Sequence, residues 1–150
     1  MNIIFLDIDG VMNSVEDRFS TKLENDIYWI RLKRLVDETN SAIVLSSSWR
    51  IIERLTNRVK ERLNEYDIKY IDKTPYLSSR GNEIKTWLES TDVKIDKFVI
   101  IDDEVSDIVG LFPDNVVKTD MHKGLQDEDV DKAVKILKWE ELNKIKVYLI

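Results

Sequence analysis

Phe5-Leu6-Asp7-Ile8-Asp9-Gly10-Val11 is an apolar strand that runs straight into two carboxylates one residue apart and then a glycine. Residues i and i+2 leave a strand on the same side, and Gly10 frees the backbone to turn where the strand ends. One carboxylate can then meet a divalent cation and face a bound reactant while the second exchanges protons. Asp-x-Asp-Gly also opens calcium loops. Here, though, apolar residues such as Met12 and Val15 stand where further oxygen ligands are needed, and no Glu closes the loop.

Two more runs behave in the same way. Ala42-Ile43-Val44-Leu45 ends in Ser46-Ser47-Ser48-Trp49-Arg50, and Phe98-Val99-Ile100-Ile101 ends in Asp102-Asp103-Glu104. Continuous apolar runs suit central strands of a parallel sheet buried on both faces, and such sheets bind ligands outside the carboxyl ends of their strands. Three polar clusters therefore converge on one edge. Ser78-Ser79-Arg80-Gly81-Asn82-Glu83-Ile84 reads as a helix start whose Arg80 brings a cation to that edge.

Working outward, strands are expected near Ile3–Leu6, Ala42–Ser46, Lys69–Ile71, Phe98–Ile101 and Val116–Lys118, alternating with amphipathic helices. The helical faces are Tyr28, Leu32, Leu35 and Val36; Ile52, Leu55, Val59 and Leu63; Ile84, Trp87 and Leu88; and Val130, Ala133, Val134 and Leu137. Alternation of this kind predicts an α/β fold of the three-layer Rossmann-like type, with a parallel sheet and right-handed crossovers. Lys146-Val147-Tyr148-Leu149-Ile150 reads as a short extra strand or an apolar tail. No repeat or linker divides the 150 residues, so one domain over 1–150 is expected.

Composition excludes several classes. With 29 acidic and 23 basic residues the formal charge is -6, which opposes broad electrostatic binding to long nucleic acid while permitting a grip on one terminal phosphate. There are no cysteines, hence no disulfide framework and no cysteine-based zinc site. No run approaches the length of a membrane span and the chain opens on its first strand, so a cytoplasmic location without membrane association is expected. No obligate protein partner is evident.

In order along the chain, Asp-x-Asp-Gly, a Ser after a strand, an Arg at a helix start and a strand-terminal Asp-Asp resemble the four motifs of the haloacid dehalogenase-like (HAD) phosphotransferases, over Ile3 to about Asp107. The set Leu45-Ser46-Ser47-Ser48-Trp49-Arg50, Arg80-Gly81-Asn82-Glu83-Ile84, Ile101-Asp102-Asp103-Glu104, and Thr119-Asp120 with Gly124-Leu125 is similar to the HAD domains associated with RNA-repair proteins. These are distant relatives of the phosphatase half of polynucleotide kinase-phosphatase. The resemblance implies strand order 5-4-1-2-3 and a Mg²⁺-dependent phosphomonoesterase acting through an aspartyl-phosphate. It makes Asp7 the nucleophile and Asp9 the general acid and base. Asp7, the backbone carbonyl of Asp9, and Asp103 become metal ligands, with Asp102 behind them or joined through water. Ser46 becomes the phosphate binder, with Ser47 also eligible, and Arg80 the charge-neutralising cation, with Lys85 as fallback.

Relatives often carry a cap domain that encloses small substrates. Here 12–26 can hold only a flap and 66–79 little beyond a strand and a loop, so the site is expected to be capless. An open site suits a substrate that is itself large and helps exclude water, such as an RNA or DNA end, or a nucleotide. Trp49 is a candidate for base stacking, against the plainer reading of a core residue, and Arg50 a candidate for a second phosphate. The flap around Arg18 and Lys22 offers further contacts. His122 reads as a solvated loop residue, Glu104 and Asp107 as caps of a following helix, and Asp127-Glu128-Asp129 as the first turn of the last helix. Two competing readings stand beside this one. One is a small-metabolite phosphatase of low selectivity. The other is a phosphoryl-accepting signalling or binding module, because Val99–Glu104 resembles the opening of response-regulator receivers; that module would have no use for Asp9.

Overall fold

The computed structural model describes residues 1–17 and 23–149, with side chains as far as Lys138. Arg18 and Lys22 lie outside the described residues. Each apolar run becomes a strand: β1 (Asn2–Leu6), β2 (Ser41–Leu45), β3 (Tyr70–Lys73), β4 (Phe98–Asp102) and β5 (Val116–Lys118). They form one parallel sheet of order β3-β2-β1-β4-β5, the expected order read from the opposite edge. Among the described residues four α-helices connect and cover it: α1 (Asp26–Thr39), α2 (Glu53–Glu65), α3 (Arg80–Ser90) and α4 (Asp127–Leu149). A short 3₁₀ helix, Ser48–Ile51, lies between β2 and α2.

The two-residue period of the strands sorts the core into two layers. Ile4, Leu6, Ile43, Leu45, Val99 and Ile101 pack with the buried faces of α1, α2 and α4, where Trp29, Leu32, Val59, Leu63, Val130 and Ala133 are buried. Ile3, Phe5, Val44 and Ile100 face the opposite way, against Ile84 and Trp87 of α3 and Ile108. There the Phe5 ring meets Trp87 edge-on, centroids 5.4 Å apart, an arrangement that aromatic quadrupoles favour.

Local chemistry sets the helix ends. The Asn25 side chain accepts from Ile27 N to start α1, and the Ser79 side chain accepts from Asn82 N to start α3. Three expectations are corrected. Ile52 is about half exposed, because the 3₁₀ helix turns the chain and leaves Ile52 extended (φ -108°) ahead of α2, outside its periodicity. Residues 106–111 form turns, not a helix, so Glu104 and Asp107 cap no following helix; the Glu104 side chain accepts from Ser106 N (3.0 Å) within the turn. Finally, α4 continues to Leu149 in place of an extra strand. Asp127, Glu128 and Asp129 do form its first turn.

Candidate active site

The sheet's register assembles the site. Phe5 pairs with Val44 on one side and Ile100 on the other, and all three side chains belong to the α3 layer. Two residues further on stand Asp7, Ser46 and Asp102. The ladder continues far enough to hold them, through Asp7 N to Ile101 O (3.1 Å) and Ser46 N to Leu6 O (2.9 Å). Because side chains two apart share a face, this register sets two acids and a hydroxyl at the end of the layer where α3 begins. Arg80, the first residue of α3, meets them there.

Carboxylate oxygens of Asp7, Asp102 and Asp103 lie within 4.8 Å of one another. Gly10 makes this convergence possible. Its φ is +79°, and a Cβ on it would come within 2.4 Å of Asp103 Oδ2. The turn is braced by the segment after β5, where Thr119 Oγ1 donates to Gly10 O (2.8 Å) and Leu125 N to Val11 O (2.7 Å). Thus the Thr119-Asp120 and Gly124-Leu125 pairs hold the first motif in shape.

Arg80 Nη1 stands 2.6 Å from Asp102 Oδ2 and 3.4 Å from Asp7 Oδ1, and also donates to Ser46 O. Burial pushes the Asp7 carboxyl well above the ordinary range and the Asp102 carboxylate adds to this, with Arg80 opposing. Burial likewise raises Asp102 to about 6, again against Arg80. Three acids with one arginine leave an excess of negative charge in a desolvated place, the condition a hard divalent cation relieves. Carboxylate oxygens gathered this closely suit a hard, oxygen-seeking cation such as Mg²⁺. The residues therefore fit the metal, and Asp7, Asp102 and Asp103 are the side chains that would hold it.

Asp9 stands apart from that cluster. Trp49 Nε1 donates to its Oδ2 (3.1 Å) and Asn13 Nδ2 to its Oδ1 (3.0 Å), while Asn13 Oδ1 accepts from Gly10 N (2.9 Å). This corrects the base-stacking expectation for Trp49: the ring is 5 % exposed, too deep to receive a base. Arg50 is likewise unsuited to a second phosphate. It is buried, pairs with Glu83 (2.8 Å), and donates to the carbonyls of Ser47, Thr74 and Pro75. The two hydroxyls differ as well. Ser47 Oγ accepts from Trp49 N as the cap of the 3₁₀ helix, whereas Ser46 Oγ is buried without a protein partner. Lys85 pairs with Glu89 on the exposed side of α3, away from the acids, and His122 sits in an exposed turn.

Two buried residues join the site without a role having been expected for them. Glu83 contacts Arg50 and, through Oε1 at 3.5 Å, Arg80 Nε, and it accepts from Leu77 N (2.9 Å). Its spacing of three from Arg80 on one helix was the available signal. Asn13, four residues after Asp9, left only its turn-forming residue type as a clue. Asp107 takes a different part from the expected one: its side chain accepts from Arg80 N (2.8 Å) and so caps α3 from across the cleft.

Above these groups opens a cleft of about 450 Å³, lined by Asp7, Asp9, Asp103 and Arg80 together with residues 76–79. No cap domain covers it among the described residues, and among them no helix is long and apolar enough to cross a membrane. No curated protein and no solved structure matches the sequence. Residues 3–130, most of the chain and all of the site, match the family described as "HAD domain in Swiss Army Knife RNA repair proteins". With the five-stranded parallel sheet, its strand order and the acid cluster already in place, the match makes this chain a member of that family and a HAD-type phosphatase domain.

Proposed function

We propose that the protein is a Mg²⁺-dependent phosphomonoesterase whose substrate is a polynucleotide terminal phosphate or a nucleotide. The observation that carries the reading is the convergence of Asp7, Asp102 and Asp103 beneath Arg80 in a chain of this family. When bound, the metal supplies positive charge beside the phosphoryl oxygens. Ser46 Oγ, which has no protein partner, donates to one of those oxygens, and Arg80 stabilises the charge that builds on the others.

Asp7 attacks phosphorus in line. The P–O bond to the leaving group breaks, its electron pair stays on the departing oxygen, and Asp9 delivers the proton that makes it an alcohol. Water then attacks the aspartyl-phosphate as Asp9 takes back a proton, and cleavage of the acyl phosphate P–O bond returns Asp7 with release of inorganic phosphate. Splitting the displacement in two is the gain of covalent catalysis. The hydrogen bonds from Trp49 and Asn13 support the role of Asp9, since they aim a carboxylate that lies outside the acid cluster.

Phosphate release over nucleotides, 3′- and 5′-phosphorylated oligonucleotides, sugar phosphates and phosphopeptides tests the reading. Mg²⁺-dependent release that Asp7→Asn abolishes with the fold intact is the expected result. Turnover by that variant above a few per cent of the parent removes Asp7 from its role. Equal turnover of sugar phosphates and nucleotides moves the substrate to small metabolites.

A further inference from the structure

The cleft is larger than a phosphoryl group requires. At about 450 Å³ it falls among sites for small organic ligands, and its outer part is made by residues 76–79. Tyr76 there is 74 % exposed and Leu77 44 % exposed. Scattered apolar residues on a surface need no explanation. Tyr76 differs because the chain on both sides of it is pinned. Pro75 O accepts from Arg50 Nη2 (3.2 Å), and Leu77 N donates to Glu83 Oε2 (2.9 Å). Arg50 and Glu83 are themselves a buried ion pair. The Arg50 guanidinium also lies 5.9 Å from the Tyr76 ring centroid, and both residues line the cleft. A large aromatic side chain is thus held in place in water at the mouth of the site, so little ordering remains to be done when a flat partner arrives.

We propose that Tyr76 is the stacking platform for the base of a nucleotide whose terminal phosphate is held at Asp7. The inference rests on the phosphomonoesterase reading and narrows its substrate to compounds with a base next to the reacting phosphate. Charge argues for a base over further phosphates. The cations lining the cleft are Arg50 and Arg80, both paired with carboxylates, whereas Glu104 and Asp107 add acid to its wall. A second phosphate meets repulsion there. An uncharged ring meets Tyr76, and stacking of this kind tolerates any base.

The test compares wild type, Tyr76→Ala and Tyr76→Phe on adenosine monophosphate and on glycerol phosphate, which has no ring, with Mg²⁺ present. The readout is the ratio of kcat/KM for the nucleotide to that for glycerol phosphate. Tyr76→Ala is expected to lower the ratio about 5- to 150-fold, the worth of one stacked base, while Tyr76→Phe keeps it. Because stacking is not ionic, the wild-type ratio should hold from about 50 to about 500 mM salt. An unchanged ratio in Tyr76→Ala, an equal loss in Tyr76→Phe, or a ratio that collapses with salt overturns the platform. Release of phosphate by wild type from neither compound, nor from a 3′- or 5′-phosphorylated oligonucleotide, overturns the esterase reading separately. Calorimetric binding of adenosine monophosphate then decides the platform: weaker binding by Tyr76→Ala supports it and equal binding overturns it.

Discussion

Asp9 is gripped at both oxygens, and the grip gives a prediction specific to proton transfer. Replacing Trp49 by Phe keeps most of the buried ring and removes the donor to Asp9 Oδ2. A positioned acid contributes about 10²–10⁴-fold, and a carboxyl that is no longer aimed keeps only part of this, so kcat/KM for alkyl phosphates should fall on the order of 10- to 100-fold. Aryl phosphates with good leaving groups should lose much less, since they need little help from an acid. Rates across a leaving-group series for wild type and Trp49→Phe check this; parallel losses would reduce Trp49 to a packing residue. Asp7 and Asp102 give a second prediction, in stability. Both hold their protons more tightly folded than unfolded, Asp102 with a folded value of about 6. The stability this contributes is full below the unfolded value near 4 and is lost as pH rises through the folded value. In EDTA the protein should therefore become less resistant to urea between about pH 4 and the region above pH 6. Denaturation midpoints across that window that stay level would mean the two acids are not desolvated as described.

The helix α3 rests its first turn on the opposite wall of the cleft. A Cβ on Gly81 would lie 2.3 Å from Asp107 O, a backbone atom that cannot step aside. Gly81→Ala is a better helix former by about 1 kcal/mol, yet it should destabilise the fold by roughly 1–3 kcal/mol through overpacking. It should also lower kcat, because Arg80 moves with the helix. Denaturation and phosphate release measured on the one variant test both; a more stable and equally active protein would refute the close approach. The strands and their order were legible because an apolar run buried on both faces has few other uses, and the polar residues that end each run marked the active edge. What stayed hidden depended on contacts between distant segments. Ile52 fits the helical period of α2 in sequence, but a 3₁₀ turn displaces it. The indole of Trp49 reaches Asp9 across forty residues, and Arg50 is spent on loop carbonyls. Asp107 serves the N-terminus of α3, which precedes it in the chain. Local spacing encodes none of these pairings.

The whole chain carries a formal charge of -6, and the cleft at the active site is lined by many acids. Long polynucleotides should therefore be held weakly, and through few phosphates. A logarithmic plot of affinity against salt for a single-stranded oligonucleotide should have a slope no steeper than about -1, against about -0.7 for each phosphate neutralised. Fluorescence anisotropy over a salt series measures it, and a slope of several units would reveal a cationic track elsewhere on the protein. The central position of β1 has a separate consequence, for how the molecule comes into being. β1 is made first, yet Ile3 must pair with Ala42 on one side and with Phe98 on the other. Pairings so distant in sequence are slow to form, and an apolar strand with an open edge invites association with other chains. Ribosome-bound chains that stop short of Phe98 should thus depend on chaperones, and the nucleophile's own strand waits longer than any other strand of the sheet between being made and being secured on both sides.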